Sequence, residues 1–148
     1  MSVSQKNPAS PFASLKGDHV AVRVSSLEAA KQWYVEKLDF RVVAEWPLGE
    51  LRLAYLQPSV DDSFSLELLG EGAPTPKPAY NDIKASLKPA GYHHICFAVK
   101  NVDETLAELR RRGVTVEGEP FNLEEIKRRL AYVADPWGNL IQFSETLP

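Results

Sequence analysis

Four polar side chains stand at spacings that repeat. His19 and Glu67 are 48 residues apart, as are His94 and Gln142, and the second pair follows the first at an offset of 75. His19 leads the run Val20-Ala21-Val22-Arg23-Val24, and His94 leads Ile95-Cys96-Phe97-Ala98-Val99. Successive side chains of a strand point to opposite faces. If Val20, Val22 and Val24 pack on a helix, then His19, Ala21 and Arg23 face the other way. With Ile95, Phe97 and Val99 on the helix side, the same parity sends His94, Cys96 and Ala98 to the opposite face and takes His93 off it. Glu67 sits between Leu66 and Leu68, and Gln142 between Ile141 and Phe143, each a lone polar residue among apolar neighbours. Two imidazoles, a carboxylate and an amide oxygen suit a divalent transition metal such as Zn, Ni or Fe, with room for water or substrate. Taken singly, a histidine at a strand start is more often a structural hydrogen-bonding residue, and a glutamate between leucines more often faces solvent. Their placement at equivalent positions of two copies is what argues for a shared task.

The elements that must position these residues also repeat. Each histidine strand is followed by a helix-start signal, Ser25 with Glu28 in one copy and Asn101 with Glu104 in the other. A capping side chain followed three residues later by an acid answers the free amides of a first helical turn. Helical spacing then runs through Leu27, Ala30, Tyr34 and Leu38, and again through Val102, Leu106 and Leu109, with Gly113 as a stop. Arg52-Leu53-Ala54-Tyr55-Leu56 returns as Arg129-Leu130-Ala131-Tyr132-Val133. The pattern predicts an α+β fold of two modules, each a strand, a helix and three strands. Module one covers 17–69 and module two 92–146, within a single domain over 15–148. Residues 70–91 hold four of the eleven prolines and read as a connector with at most a short helix near 81–87. Residues 1–14 read as a disordered tail, Asp135 to Asn139 as a tight turn, and Glu117 to Arg128 as a long connection able to act as a lid.

Composition narrows the classes of function. The chain of 148 residues has 17 basic and 20 acidic side chains, a net charge of -3 and one cysteine. It needs no disulfide staple at this size, and its acidity argues against a nucleic-acid partner. No apolar run reaches the ~20 residues of a membrane span, and the polar start lacks the apolar core of a signal peptide. The expectation is a cytoplasmic protein acting on a small molecule.

The strand Asp18-His19-Val20-Ala21-Val22, the strand Gly91-Tyr92-His93-His94-Ile95-Cys96-Phe97 and the turn Asp135-Pro136-Trp137-Gly138-Asn139 resemble those of the vicinal oxygen chelate superfamily. That group contains glyoxalase I, bleomycin-resistance proteins and extradiol dioxygenases, and the resemblance spans Gly17 to Glu145. It implies two βαβββ modules whose curled sheets enclose a metal-centred cavity, often within a homodimer. It also implies a divalent metal (Zn, Ni, Co, Mn or Fe) on His19, Glu67, His94 and Gln142, the four residues that parity selects. The activity implied is of the lactoylglutathione lyase type, an isomerisation or lyase step on a small oxygen-chelating substrate. Where glyoxalase I relatives usually carry Glu, this chain has Gln142, which coordinates through its oxygen but accepts no proton near neutral pH. Glu67 is then the one ligand able to serve as the catalytic base. An Fe(II) extradiol dioxygenase using His19, His94 and Glu67, and a metal-free protein that sequesters a ligand, are the alternatives. Arg23 and Cys96 share the cavity face and are candidate substrate contacts, Arg23 for a carboxylate or phosphate. Tyr55, Tyr132, Trp46 and Trp137 could line a pocket for an apolar or aromatic substrate, but aromatics at such positions are more often core, and they receive no role.

Overall fold

The computed structural model describes residues 4–148. Residues 4–18 hold turns over 8–14 and are exposed apart from the half-buried Ser10, and residues 1–3 of the expected tail fall outside the described range. Module one runs β1 (His19–Arg23), α1 (Leu27–Leu38), β2 (Arg41–Leu48), β3 (Leu51–Gln57) and β4 (Ser65–Glu71). Its sheet has the order β1-β4-β3-β2, with β1 parallel to β4 and the other pairs antiparallel. A connector carrying the short α2 (Ile83–Ser86) leads to module two, which is built from β5 (His94–Ala98), α3 (Val102–Arg111), β6 (Thr115–Val116), β7 (Phe121–Leu123), β8 (Arg128–Ala134) and β9 (Leu140–Thr146). The second sheet runs β5-β9-β8-β6, again with its first pair parallel, and β7 also pairs with β8.

The duplicated βαβββ reading therefore holds, with one difference. The strand equivalent to β2 is divided into β6 and β7, because Gly118 (φ +84°) and Pro120 interrupt it. The stretch read as a lid is in part sheet: Phe121 to Leu123 pair with Leu130 to Arg128, and a 3-10 turn fills Glu124–Ile126.

Local chemistry explains the helices. Ser26, not Ser25, caps α1 by accepting from the Ala29 amide, and Asn101 caps α3 by accepting from the Glu104 amide. The first amide of each helix is held by a carboxylate from the last strand of its own module: Leu27 N–H donates to Glu71 and Val102 N–H to Glu145. α3 ends in a Schellman pair, with Gly113 N–H on Arg110 O and Val114 N–H on Leu109 O, and Gly113 takes φ +76°. Leu27, Ala30 and Tyr34 from α1 and Val102, Leu106 and Leu109 from α3 are buried against their own sheets. Burial of each large side chain stabilises the fold by about 1.5–3 kcal/mol. Gly70 lets α1 approach β4, since a Cβ there would stand 2.6 Å from Leu27 Cβ.

The two modules share one core and are latched by polar contacts. The buried Tyr34 hydroxyl donates to Asp135 at 2.8 Å, in the turn between β8 and β9. Arg112 holds both carboxylate oxygens of Asp39, and Trp137 Nε1–H donates to Ser25 Oγ. Phe40 meets Phe97 edge-on. Because α1 and α3 occupy one face of each sheet, the faces carrying His19 and His94 stay open.

Candidate metal centre

On the open face of sheet one, β1 and β4 place Ala21 beside Glu67, so His19 and Glu67 project to the same side two positions apart. His19 Nε2 lies 3.5 Å from Glu67 Oε2, while His19 Nδ1–H donates to Asp18 Oδ2 at 2.7 Å. Tyr55, paired with Glu67 across β3, sets its ring 5.3 Å from the His19 ring and 4.7 Å from Trp46. Burial, followed by the Glu67 and Asp18 charges, pushes the Tyr55 hydroxyl above its ordinary pKa.

Sheet two repeats the arrangement. Cys96 stands beside Gln142, Tyr132 pairs with Gln142 across β8, and the Tyr132 ring lies 5.3 Å from His94. Gln142 Nε2–H donates to the Tyr132 hydroxyl, which leaves the amide oxygen as the group able to face His94. Phe121 stacks over Tyr132, taking the place that Trp46 has over Tyr55.

The tautomer of His94 follows from its neighbours. Ser86 Oγ–H donates to the Ile83 carbonyl at 2.7 Å. Ser86 must therefore accept from His93 Nε2–H, at 2.9 Å. Neutral His93 then has its lone pair on Nδ1, which accepts from His94 Nδ1–H at 2.8 Å. Neutral His94 is left with a lone pair on Nε2. Burial, then His93, lower the His94 pKa, against a hydrogen bond that the Gln142 oxygen would accept from the protonated ring and that raises it, so the neutral ring is favoured.

Each half thus has an imidazole held through Nδ1, an oxygen acceptor beside it and a tyrosine behind. In the neutral rings the Nε2 lone pairs and the Glu67 and Gln142 oxygens are all acceptors, with no donor between them. This donor set suits a divalent cation. Orientation through the other ring nitrogen is the usual support of a metal-bound histidine. Among the described residues, no three or more His, Cys, Asp or Glu side chains converge into a metal-holding group. The four expected ligands stand as two half-sets, one per sheet.

The remaining expected site residues lie as follows. Arg23 donates to the backbone carbonyls of Leu69 and Glu71, at the end of β4, and of Val24, just past β1. Cys96 is exposed on the His94 face. Sequence reasoning left Tyr55 and Tyr132 without a role. Their signal was present, because both close the repeated Arg-Leu-Ala-Tyr run at equivalent positions. Asp18, His93 and Ser86 gave no such signal, since their parts depend on side-chain hydrogen bonds.

Residues 16–143 match the Glyoxalase/Bleomycin resistance protein/Dioxygenase superfamily, and the chain belongs to that family. It is 31% identical over 122 residues to the uncharacterized protein YurT of Bacillus subtilis, covering 82% of this chain and 92% of that one. It is 25% identical over 130 residues to a probable lactoylglutathione lyase of Synechocystis, covering 86% and 93%. Among solved structures it resembles TnmS3, an antibiotic binding protein from Streptomyces, with TM-score 0.66 and 28% identity, covering 90% of this chain and 98% of that one. Among the described residues no helix is long and apolar enough to cross a membrane.

Proposed function

We propose that the protein is a metal-dependent enzyme of glyoxalase type, acting on a small substrate with neighbouring oxygen donors. The observation that carries this reading is the pairing of two imidazole Nε2 lone pairs with Glu67 and Gln142 oxygens, each ring fixed through Nδ1. His19, Glu67, His94 and Gln142 would hold the cation. When bound, it supplies Lewis acidity toward the substrate oxygens, favouring loss of a proton from the adjacent carbon. Glu67 is the carboxylate placed to take that proton, whereas Gln142 cannot. Glu67 then returns the proton to the neighbouring carbon, a one-base isomerisation. Tyr55 and Trp46 on one sheet, with Tyr132 and Phe121 on the other, shield the reacting atoms from water.

The half-sets are joined by a second copy in this reading. β1 and β5, which carry His19 and His94, are the edge strands of their sheets. A homodimer that sets sheet one of one copy against sheet two of the other completes two equal sites. Protein purified without a histidine tag is expected to bind one Ni(II) or Zn(II) per chain, and absence of binding overturns the proposal. The Fe(II) ring-cleaving alternative uses the same His19, His94 and Glu67 and predicts oxygen uptake with catechols by iron-loaded protein.

A second reading is a sequestering protein. It is supported by the likeness to an antibiotic binding protein and by exposed apolar side chains on the open faces, Leu48 and Phe121 among them. It predicts ligand affinity that survives replacement of both His19 and His94 by alanine.

A further inference from the structure

The chain has eight arginines, and seven have partners among the described residues. Arg23 is held by backbone carbonyls. Arg41 pairs with Asp62, Arg52 with Glu28 and Glu45, Arg110 with Glu119, Arg111 with Glu108, Arg112 with Asp39, and Arg129 with Asp103. Arg128 is the exception. It is half-buried at the start of β8, and its strand neighbours are Leu123 on β7 and Thr146 on β9, neither of them an acid.

Strand parity puts Arg128 with Leu130 and Tyr132 on the open face of sheet two. Its backbone is four residues from Tyr132, about 13 Å along the strand. On that face Arg128, Leu130 and Tyr132 follow one another along β8, beside Thr146, Ser144 and Gln142 of β9. An arginine removed in part from water, without a counter-charge and on the face that carries the candidate ligands, is matched to an anion. Its planar fork suits a carboxylate held by two parallel hydrogen bonds. Phe121, 44% exposed and stacked on Tyr132, offers an apolar wall between the two ends. The equivalent position in module one is Leu51, so the charge marks the open face of sheet two and not that of sheet one.

We propose that Arg128 is a substrate-anchoring residue, and that the natural ligand carries a carboxylate several bonds from its chelating oxygens. This rests on the metal-centred reading above and adds a substrate class to it.

The test compares benzohydroxamate, a neutral chelator, with 4-carboxybenzohydroxamate, which adds a carboxylate at the far end of the ring. Both are titrated onto Co(II)-loaded protein and followed by the visible absorption of the metal and by calorimetry. The wild type is expected to prefer the carboxylate compound by about tenfold. R128M is expected to abolish the preference while binding benzohydroxamate unchanged, and R128K to keep part of it. Failure of either compound to perturb the metal spectrum counts against the metal reading alone. The same titrations on metal-free protein then read the anion site by itself, with the same Arg128-dependent preference expected. Equal affinity of the two compounds for the wild type, or a preference that survives in R128M, overturns the proposal. A weaker dimer in R128M with the preference intact also overturns it, because Arg128 would then be pairing with the second copy.

Discussion

The two open faces carry the same constellation with different chemistry. On sheet one the imidazole is backed by a carboxylate, Asp18, and the candidate ligand beside it is Glu67. On sheet two the imidazole is backed by a hydrogen-bonded relay, Ser86 to His93 to His94, and the candidate ligand beside it is Gln142. A tyrosine stands behind each pair. The difference separates two tasks that a symmetric pair of glutamates would share. Sheet one holds the carboxylate able to move a proton, while sheet two holds a neutral amide and, in Arg128, an arginine with no carboxylate partner among the described residues. In the proposed reading, proton transfer falls to sheet one and substrate anchoring to sheet two.

The largest expected effect comes from erasing that contrast in charge. E67Q should lower turnover by about 10²–10⁴-fold, the usual contribution of a general base, with metal still bound through the amide oxygen. Its reciprocal, Q142E, should keep activity and tighten the metal. Loss of turnover in Q142E with the metal retained would show that the chemistry needs a neutral group there. Steady-state kinetics beside metal titration separates these outcomes.

Next in size are the groups that hold the rings. H93A removes the acceptor for His94 Nδ1–H, and D18N removes the charge behind His19. Each should weaken metal binding by about 10–100-fold, the range for such outer partners. H93A acts on sheet two alone, so combining it with D18N should multiply the losses. A double variant no worse than either single one would mean that the two rings do not share one metal.

The smallest effect is expected from Y132F, which takes away the acceptor for the Gln142 amide. The loss should be about 1 kcal/mol of metal affinity, and stability to urea should be little changed. Y55F, whose hydroxyl has no such amide to hold, should fall below it. Calorimetric titration of both variants checks the order.

Much of this was legible in the sequence, because both sheets are built on period 2 and the module is written twice. That regularity placed His19, Glu67, His94 and Gln142 on open faces, and the structure shows each histidine beside its oxygen partner. It was less informative wherever a side chain could choose its partner. Ser25 and Ser26 are equally good caps by type, and Trp137 decides between them by occupying Ser25. Arg23 and Arg128 both have open-face parity, yet one is held by carbonyls at a strand end and the other has no partner among the described residues. Parity takes His93 off the strand face, yet its ring turns to hold His94. The joining of the half-sets leaves no mark on one chain's periodicity, since it would be a contact between copies.

The central claim, a metal held by His19 and Glu67 of one copy with His94 and Gln142 of another, is tested most directly by mixing two inactive variants. H19A and H94A homodimers should each have lost high-affinity metal binding. Refolding them together produces mixed dimers in which one site carries both substitutions and the other carries none. One metal per mixed dimer, with activity restored at that site, is the expected result. Metal binding that stays lost in the mixed dimers, with their formation verified, would contradict it.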